Sequence, residues 1–249
     1  YIKIIQKLLD TGYAYSAGGN IYFDTSKLDK YFYLTNGDEK DLISGVRDTV
    51  EEDLGKKNQA DFIFFDGESF FEDSANRTSW NTKRTHLLEE DKEYDGEFLL
   101  DLMLDKKVHN CVVWLLLINR NYLEHIGLKF YPGIIHEDEL FTTILTLNSK
   151  SIYCLKQSLV KHRIRSASTM GQYFKRKNID CYLTVIDELL KFQNSAIIKK
   201  FAKYTLSKVF YTGHIIPIKD KFAVYWRAIK SGYLKYIGIK SSLVFWLKQ

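Results

Sequence analysis

The stretch "YPGIIHEDELFTT", residues 131–143, sets one histidine and three acids between two apolar flanks. Carboxylates are seldom buried unless they are paired or used. Its periodicity predicts a helix over 138–149, with Asp138 near the first turn. Two readings of Asp138 follow: a cap for a helix starting near Leu140, or an acid facing a pocket at the mouth of a sheet. The second requires strands on both sides. Downstream, "SIYCLKQSLVKHRIR" (151–165) alternates enough for one or two strands. Upstream, "NCVVWLLLINRNYLEHIGL" (110–128) reads as a buried strand feeding a helix, and "YDGEFLLDLML" (94–104) has helical spacing. "ADFIFFDG" (60–67) reads as a buried strand closed by an Asp-Gly turn. The fold class is therefore α/β.

Towards the ends, residues 178–194 and 195–211 return to helices. Residues 1–10 place Ile2, Ile5, Leu8 and Leu9 at helical spacing, with Gly12 as a stop, and 19–26 reads as a short strand. Residues 38–59 are charged and show no core face.

With 249 residues, 45% hydrophobic composition and two prolines, the chain can bury a sizeable core and is not disordered. The longest apolar run, "CVVWLLLI" (111–118), is too short to span a bilayer. No signal-peptide pattern opens the sequence, so a cytoplasmic place is expected. Cys111, Cys154 and Cys181 are odd in number and lack zinc spacing, which suits reduced core thiols. Charge is uneven. Residues 1–170 carry 21 Lys/Arg against 27 Asp/Glu, whereas residues 171–249 carry 15 against 4. Such a basic, aromatic-rich tail suits an anionic surface such as membrane headgroups.

Several side chains could carry chemistry. Arg163 and Arg165 alternate at a strand end, so both can face one side and grip a phosphate. His136 and His162 could contact a metal or phosphate, or be hydrogen-bonded polar residues. Asp66 and Glu68 mimic an acidic metal motif, which a turn explains more simply. Trp114 and Trp80 could stack on a sugar ring, although Trp114 sits in an apolar run that suggests core.

Two stretches, "IQKLLDTGYAYSAGGNIYFDTSKLDKY" and "SGVRDTVEEDLGKKNQADF", resemble cysteinyl-tRNA synthetase. They are similar to the part of that class I enzyme that follows its inserted domain and leads back to the catalytic domain. The family's HIGH and KMSKS motifs and its zinc ligands do not occur here. The resemblance therefore implies no catalytic residue.

From about residue 60, "DFIFFDGESFFED", "GIIHEDELF" and "KHRIRSASTM" resemble, in order, the C-terminal half of a family 2 glycosyltransferase of bacterial surface polysaccharide synthesis. That resemblance implies the acceptor-side half of a GT-A type fold with a basic helical tail. It also implies transfer of a sugar from a nucleotide donor to a glycan or lipid-linked acceptor. Asp138 would be the base and Glu137 its orienting partner, with Arg163, Arg165, His136 and Trp114 binding substrate. Mg or Mn would be the cofactor, although the metal-binding aspartates belong to the donor half, which this sequence lacks. The expected division is 1–60, 61–170 and 171–249, a chimaera with its seam at residues 60–62. Expected partners are a nucleotide sugar, a glycan acceptor and an anionic membrane surface at the inner face, with neither DNA nor tRNA. The alternatives are a cysteine–tRNA ligase fragment and the non-catalytic product of a chimaeric reading frame.

Overall fold

The computed structural model describes residues 2–17, 20–23, 60–71, 85–90, 92–164 and 174–248. The chain divides into two compact units, Tyr1–Asn58 and Gln59–Gln249. In the first, helix α1 (Ile2–Asp10) stops at Gly12, whose φ of 73° suits a residue without Cβ. Strands β1 (Ala14–Ala17) and β2 (Asn20–Phe23) then pair antiparallel, Ala14 opposite Phe23. The charged segment 38–59 lies outside the described residues.

The second unit is built on a three-stranded sheet. Its members are β3 (Phe62–Phe71), the short β4 (Leu116–Ile118) and β5 (Ile152–Ile164), in the order β4-β3-β5. β3 runs antiparallel to β4, with Phe62 opposite Ile118, and parallel to β5, with Phe62 opposite Ile152. Of the one or two strands expected here, the structure has one long strand, Ile152–Ile164. The expected Asp66-Gly67 turn is corrected: β3 continues through it, absorbing register shifts on either side of Asp66. The Asp66 carboxylate accepts hydrogen bonds from the Thr85 amide (3.0 Å) and hydroxyl (2.9 Å), so a distant partner satisfies an acid that would otherwise close a local turn.

Asp61 sets the register at the other end. One of its carboxylate oxygens accepts from Ser149 Oγ, the Lys150 amide and the Ser151 amide at 2.8–3.1 Å, pinning the start of β5 beside β3. The crossover between the two parallel strands carries α2 (Gly96–Asp105), α3 (Arg120–Ile126) and α4 (Glu137–Asn148). Asp95 caps α2 by accepting from the amides of Glu97 and Phe98. Asn119 does the same for α3, which ends in left-handed Gly127.

After β5 the chain is helical: α5 (Arg176–Phe192), α6 (Ala196–Thr212), α7 (Ile218–Lys230) and α8 (Ile239–Leu247). Two hydrophobic clusters organise the unit. Phe62, Phe64, Leu99, Phe141, Leu145 and Ile152 pack under the sheet. Leu183, Ile186, Phe201, Leu206, Phe210 and Phe245 fill the helical part. Helix α4 gives Phe141 and Leu145 to the first cluster and Leu140 to the second, so it carries the acidic segment along the join. No helix among the described residues is long and apolar enough to cross a membrane.

Candidate functional site

Helix α4 begins at Glu137, not near Leu140, so Asp138 lies inside its first turn and is not the cap. The cap position is His136, held in the left-handed region at φ 71° and giving no side-chain cap bond. Three acids in the first turn face the positive end of the helix dipole, which favours their charged forms. Burial opposes this. Asp138 is held above the usual carboxylate range first by burial and then by the Glu139 charge, with its hydrogen bonds to Cys111 and the Glu139 amide (3.0 Å) pulling the other way.

Glu139 behaves in the opposite manner. Burial pushes it up, but a hydrogen bond and charge from His109, contact with Cys111 and the Lys208 charge bring it below its usual value. The His109 Nε2 to Glu139 Oε2 distance is 3.2 Å, and both side chains are largely buried. His109 stands edge-on to Phe201 (ring centroids 5.3 Å apart) and Tyr204 (6.4 Å). Around the acids, burial together with the Glu139 charge pushes the Cys111 thiol and the Tyr182 and Tyr204 phenols upward. His136 stacks on Tyr182 with ring centroids 4.2 Å apart, and its Nε2 lies 3.2 Å from the Asn178 amide nitrogen. Burial lowers the His136 pKa against the pull of Glu139 and Glu137.

Two adjacent carboxyls with oppositely displaced pKa values can divide proton-holding and charge-holding roles. The expected pair was Glu137 and Asp138; both Glu139 and Glu137 raise the Asp138 pKa, Glu139 more strongly. His109 and Cys111 are the residues that sequence reasoning missed. Their alternation just ahead of the apolar run put both on one side of an extended chain, but nothing in the spacing linked them to residue 139.

The other candidates lie elsewhere. Trp114, expected in the core, is 38% exposed and stacks on His162 (4.9 Å, 18° between planes). It escapes burial because Val113–Leu115 form a single 3₁₀ turn, in which Leu115 takes the inward position. Arg163 pairs through its backbone with Phe70 near the end of β5. Arg165 and Trp80 lie outside the described residues. Among the described residues no group of three or more His, Cys, Asp and Glu could hold a metal ion.

Similarity to known proteins concerns the N-terminal third of the chain, the first unit and the start of the second. Residues 1–85 match the family described as tRNA synthetases class I (C) catalytic domain. The cysteine–tRNA ligase of Neorickettsia sennetsu is 45% identical over 64 residues, 26% of this chain and 12% of that protein. The cysteine–tRNA ligase of Campylobacter lari is 40% identical over 92 residues, 35% of this chain and 19% of that protein. That of Treponema denticola is 39% identical over 74 residues, 30% and 15% of the respective lengths. The chain thus spans 12–19% of the length of these relatives.

The N-terminal region therefore resembles cysteinyl-tRNA synthetase, as its sequence led one to expect. The same findings correct the glycosyltransferase reading. The match continues to residue 85, past the seam expected at 60–62, and these relatives are all tRNA ligases. Sugar transfer in polysaccharide synthesis, the nucleotide-sugar and glycan partners, and the exclusion of tRNA are withdrawn on that ground. An acidic first turn, two alternating arginines and an Asp-Gly pair after an apolar run recur on many folds, so they are weak guides to a substrate.

Proposed function

We propose that residues 1–85 serve as a part of the catalytic domain of a class I cysteine–tRNA ligase. The activity to which they belong would then be the activation of cysteine by ATP and its transfer to tRNA. The observation that supports this is the 45% identity over 64 residues to a cysteine–tRNA ligase, lying within a match to the class I catalytic domain. In this reading the segment is scaffold: α1 and the β1–β2 hairpin position a return into the catalytic domain, and substrate contacts come from elsewhere in the enzyme. The test replaces the corresponding stretch of the Campylobacter lari ligase with residues 1–58 and follows cysteine-dependent ATP–pyrophosphate exchange. Retention within about tenfold, a barrier change of about 1.4 kcal/mol, is the expected result. Loss of exchange in a folded hybrid overturns the reading.

For the second unit we propose an architecture and a site, without an activity. The parallel β3–β5 pair, the α2–α4 crossover and the helices after β5 support an α/β architecture. The site would be the partly buried acidic cluster at the start of α4, where burial raises the Asp138 pKa and His109 holds Glu139.

A further inference from the structure

Helices α7 and α8 each leave an apolar stripe in solvent. On α7, Ile218, Phe222 and Trp226 recur every four residues and so share one face; Phe222 is 63% and Trp226 59% exposed. On α8, Ile239, Leu243 and Leu247 repeat the pattern, with Ile239 82% and Leu247 76% exposed. The opposite faces hold the fold: Val224, Ala228 and Phe245 are fully buried. Phe222 packs on Trp246 with ring centroids 5.0 Å apart, so the two stripes adjoin. Large contiguous apolar surfaces of this kind mark interaction sites.

The surrounding charge narrows the occupant. Residues 221–249 contain six Lys/Arg and no acid. Lys219, Lys230, Lys240 and Lys248 are exposed beside the stripes, and Lys230 Nζ lies 5.5 Å from the Trp226 ring centre. The nearest acid in sequence, Asp220, pairs with Arg176 at 3.5 Å. Cations bordering exposed aliphatic and aromatic side chains fit a surface that is anionic outside and hydrocarbon within. A nucleic acid would use the lysines and could stack on Trp226, but it offers nothing to Ile218, Ile239, Leu243 and Leu247, since such interfaces are polar.

We propose that the joined faces of α7 and α8 form a docking surface for an anionic lipid bilayer. Leu243, Leu247, Phe222 and Trp226 enter the headgroup–acyl boundary while the flanking lysines meet lipid phosphates. This surface belongs to the second unit and does not depend on the ligase reading of the first.

The test is co-sedimentation of the whole chain with vesicles of phosphatidylcholine alone and with about 30% phosphatidylglycerol added. Anionic vesicles should bind at least about tenfold more tightly, and the advantage should shrink as salt rises from about 0.1 to about 0.5 M. Ile239→Ser, Leu243→Ser and Leu247→Ser together should weaken anionic binding by about tenfold or more while leaving the circular-dichroism melt unchanged, because all three side chains are exposed. Changing Lys230, Lys240 and Lys248 to Gln should remove the salt dependence. Equal binding to neutral and anionic vesicles overturns the proposal, as does anionic binding that survives the triple serine variant. So does a surface that retains tRNA but no vesicles, or one that only dimerises and loses the dimer in the serine variant.

Discussion

Asp138 and Glu139 are neighbours in one helical turn, yet their surroundings displace them in opposite directions. Glu139 has His109 at 3.2 Å; Asp138 has only the Glu139 amide and Cys111 against the cost of burial and a neighbouring charge. The sign of the resulting pH dependence can be worked out. A carboxyl whose folded pKa lies above its ordinary 3.8 contributes stability that is fully present below that value and lost as pH rises through the folded pKa. At neutral pH the ionised Asp138 therefore weighs against the folded state. Asp138→Asn keeps the shape and removes the charge, so its urea midpoint should exceed the wild-type midpoint at pH 7. The gain should fade as pH falls through the raised folded pKa and be gone below 3.8. An unchanged or lower midpoint at pH 7 would show that the surroundings of Asp138 stabilise the ion. The acids themselves were legible, because a charged cluster between apolar flanks has few explanations. Their partner was not, since His109 reaches Glu139 across 30 positions and no local pattern records so distant a contact.

At the scale of elements, the close approach of α2 to α4 depends on a missing side chain. A Cβ on Gly96 would lie 1.6 Å from the Thr146 carbonyl oxygen, which is backbone and cannot step aside. Gly96→Ala should cost about 3 kcal/mol in urea denaturation. Gly127→Ala, with nothing within 4 Å but a φ of 60°, should cost only about 1 kcal/mol of backbone strain. Equal costs would refute the packing argument. Helices α2, α5 and α6 were legible because their apolar spacing matches the helical period over two turns or more. The Asp66-Gly67 turn was misread for a physical reason: Asp-Gly closes a strand only when the acid bonds locally, and Asp66 instead bonds Thr85. Trp114 was misread because one 3₁₀ turn rotates an apolar run out of strand alternation.

For the whole molecule, both hydrophobic clusters draw their buried members, among the described residues, from Phe62 to Phe245. The network around Arg227 lies within the same unit. Its guanidinium donates to the Asp180 carbonyl (2.8 Å), Thr184 (3.0 Å) and Asp187 (3.1 Å), and Tyr233 donates to the other Asp187 oxygen. Residues 59–249 expressed alone should therefore unfold in one cooperative transition, within about 1 kcal/mol of the same unit in the full chain. A non-cooperative melt would mean that the first unit completes the core. The ligase relationship spans residues 1–85, the first unit and β3 of the second, and is legible from residue identities rather than from any catalytic motif. Its most direct measurement is steady-state cysteinylation of tRNA by the Campylobacter lari ligase carrying residues 1–58 in place of its own stretch. Charging with kcat/KM within about tenfold of the parent is the predicted result. A folded hybrid that activates cysteine and charges tRNA more than about a thousandfold more slowly, a loss of about 4 kcal/mol, would contradict it.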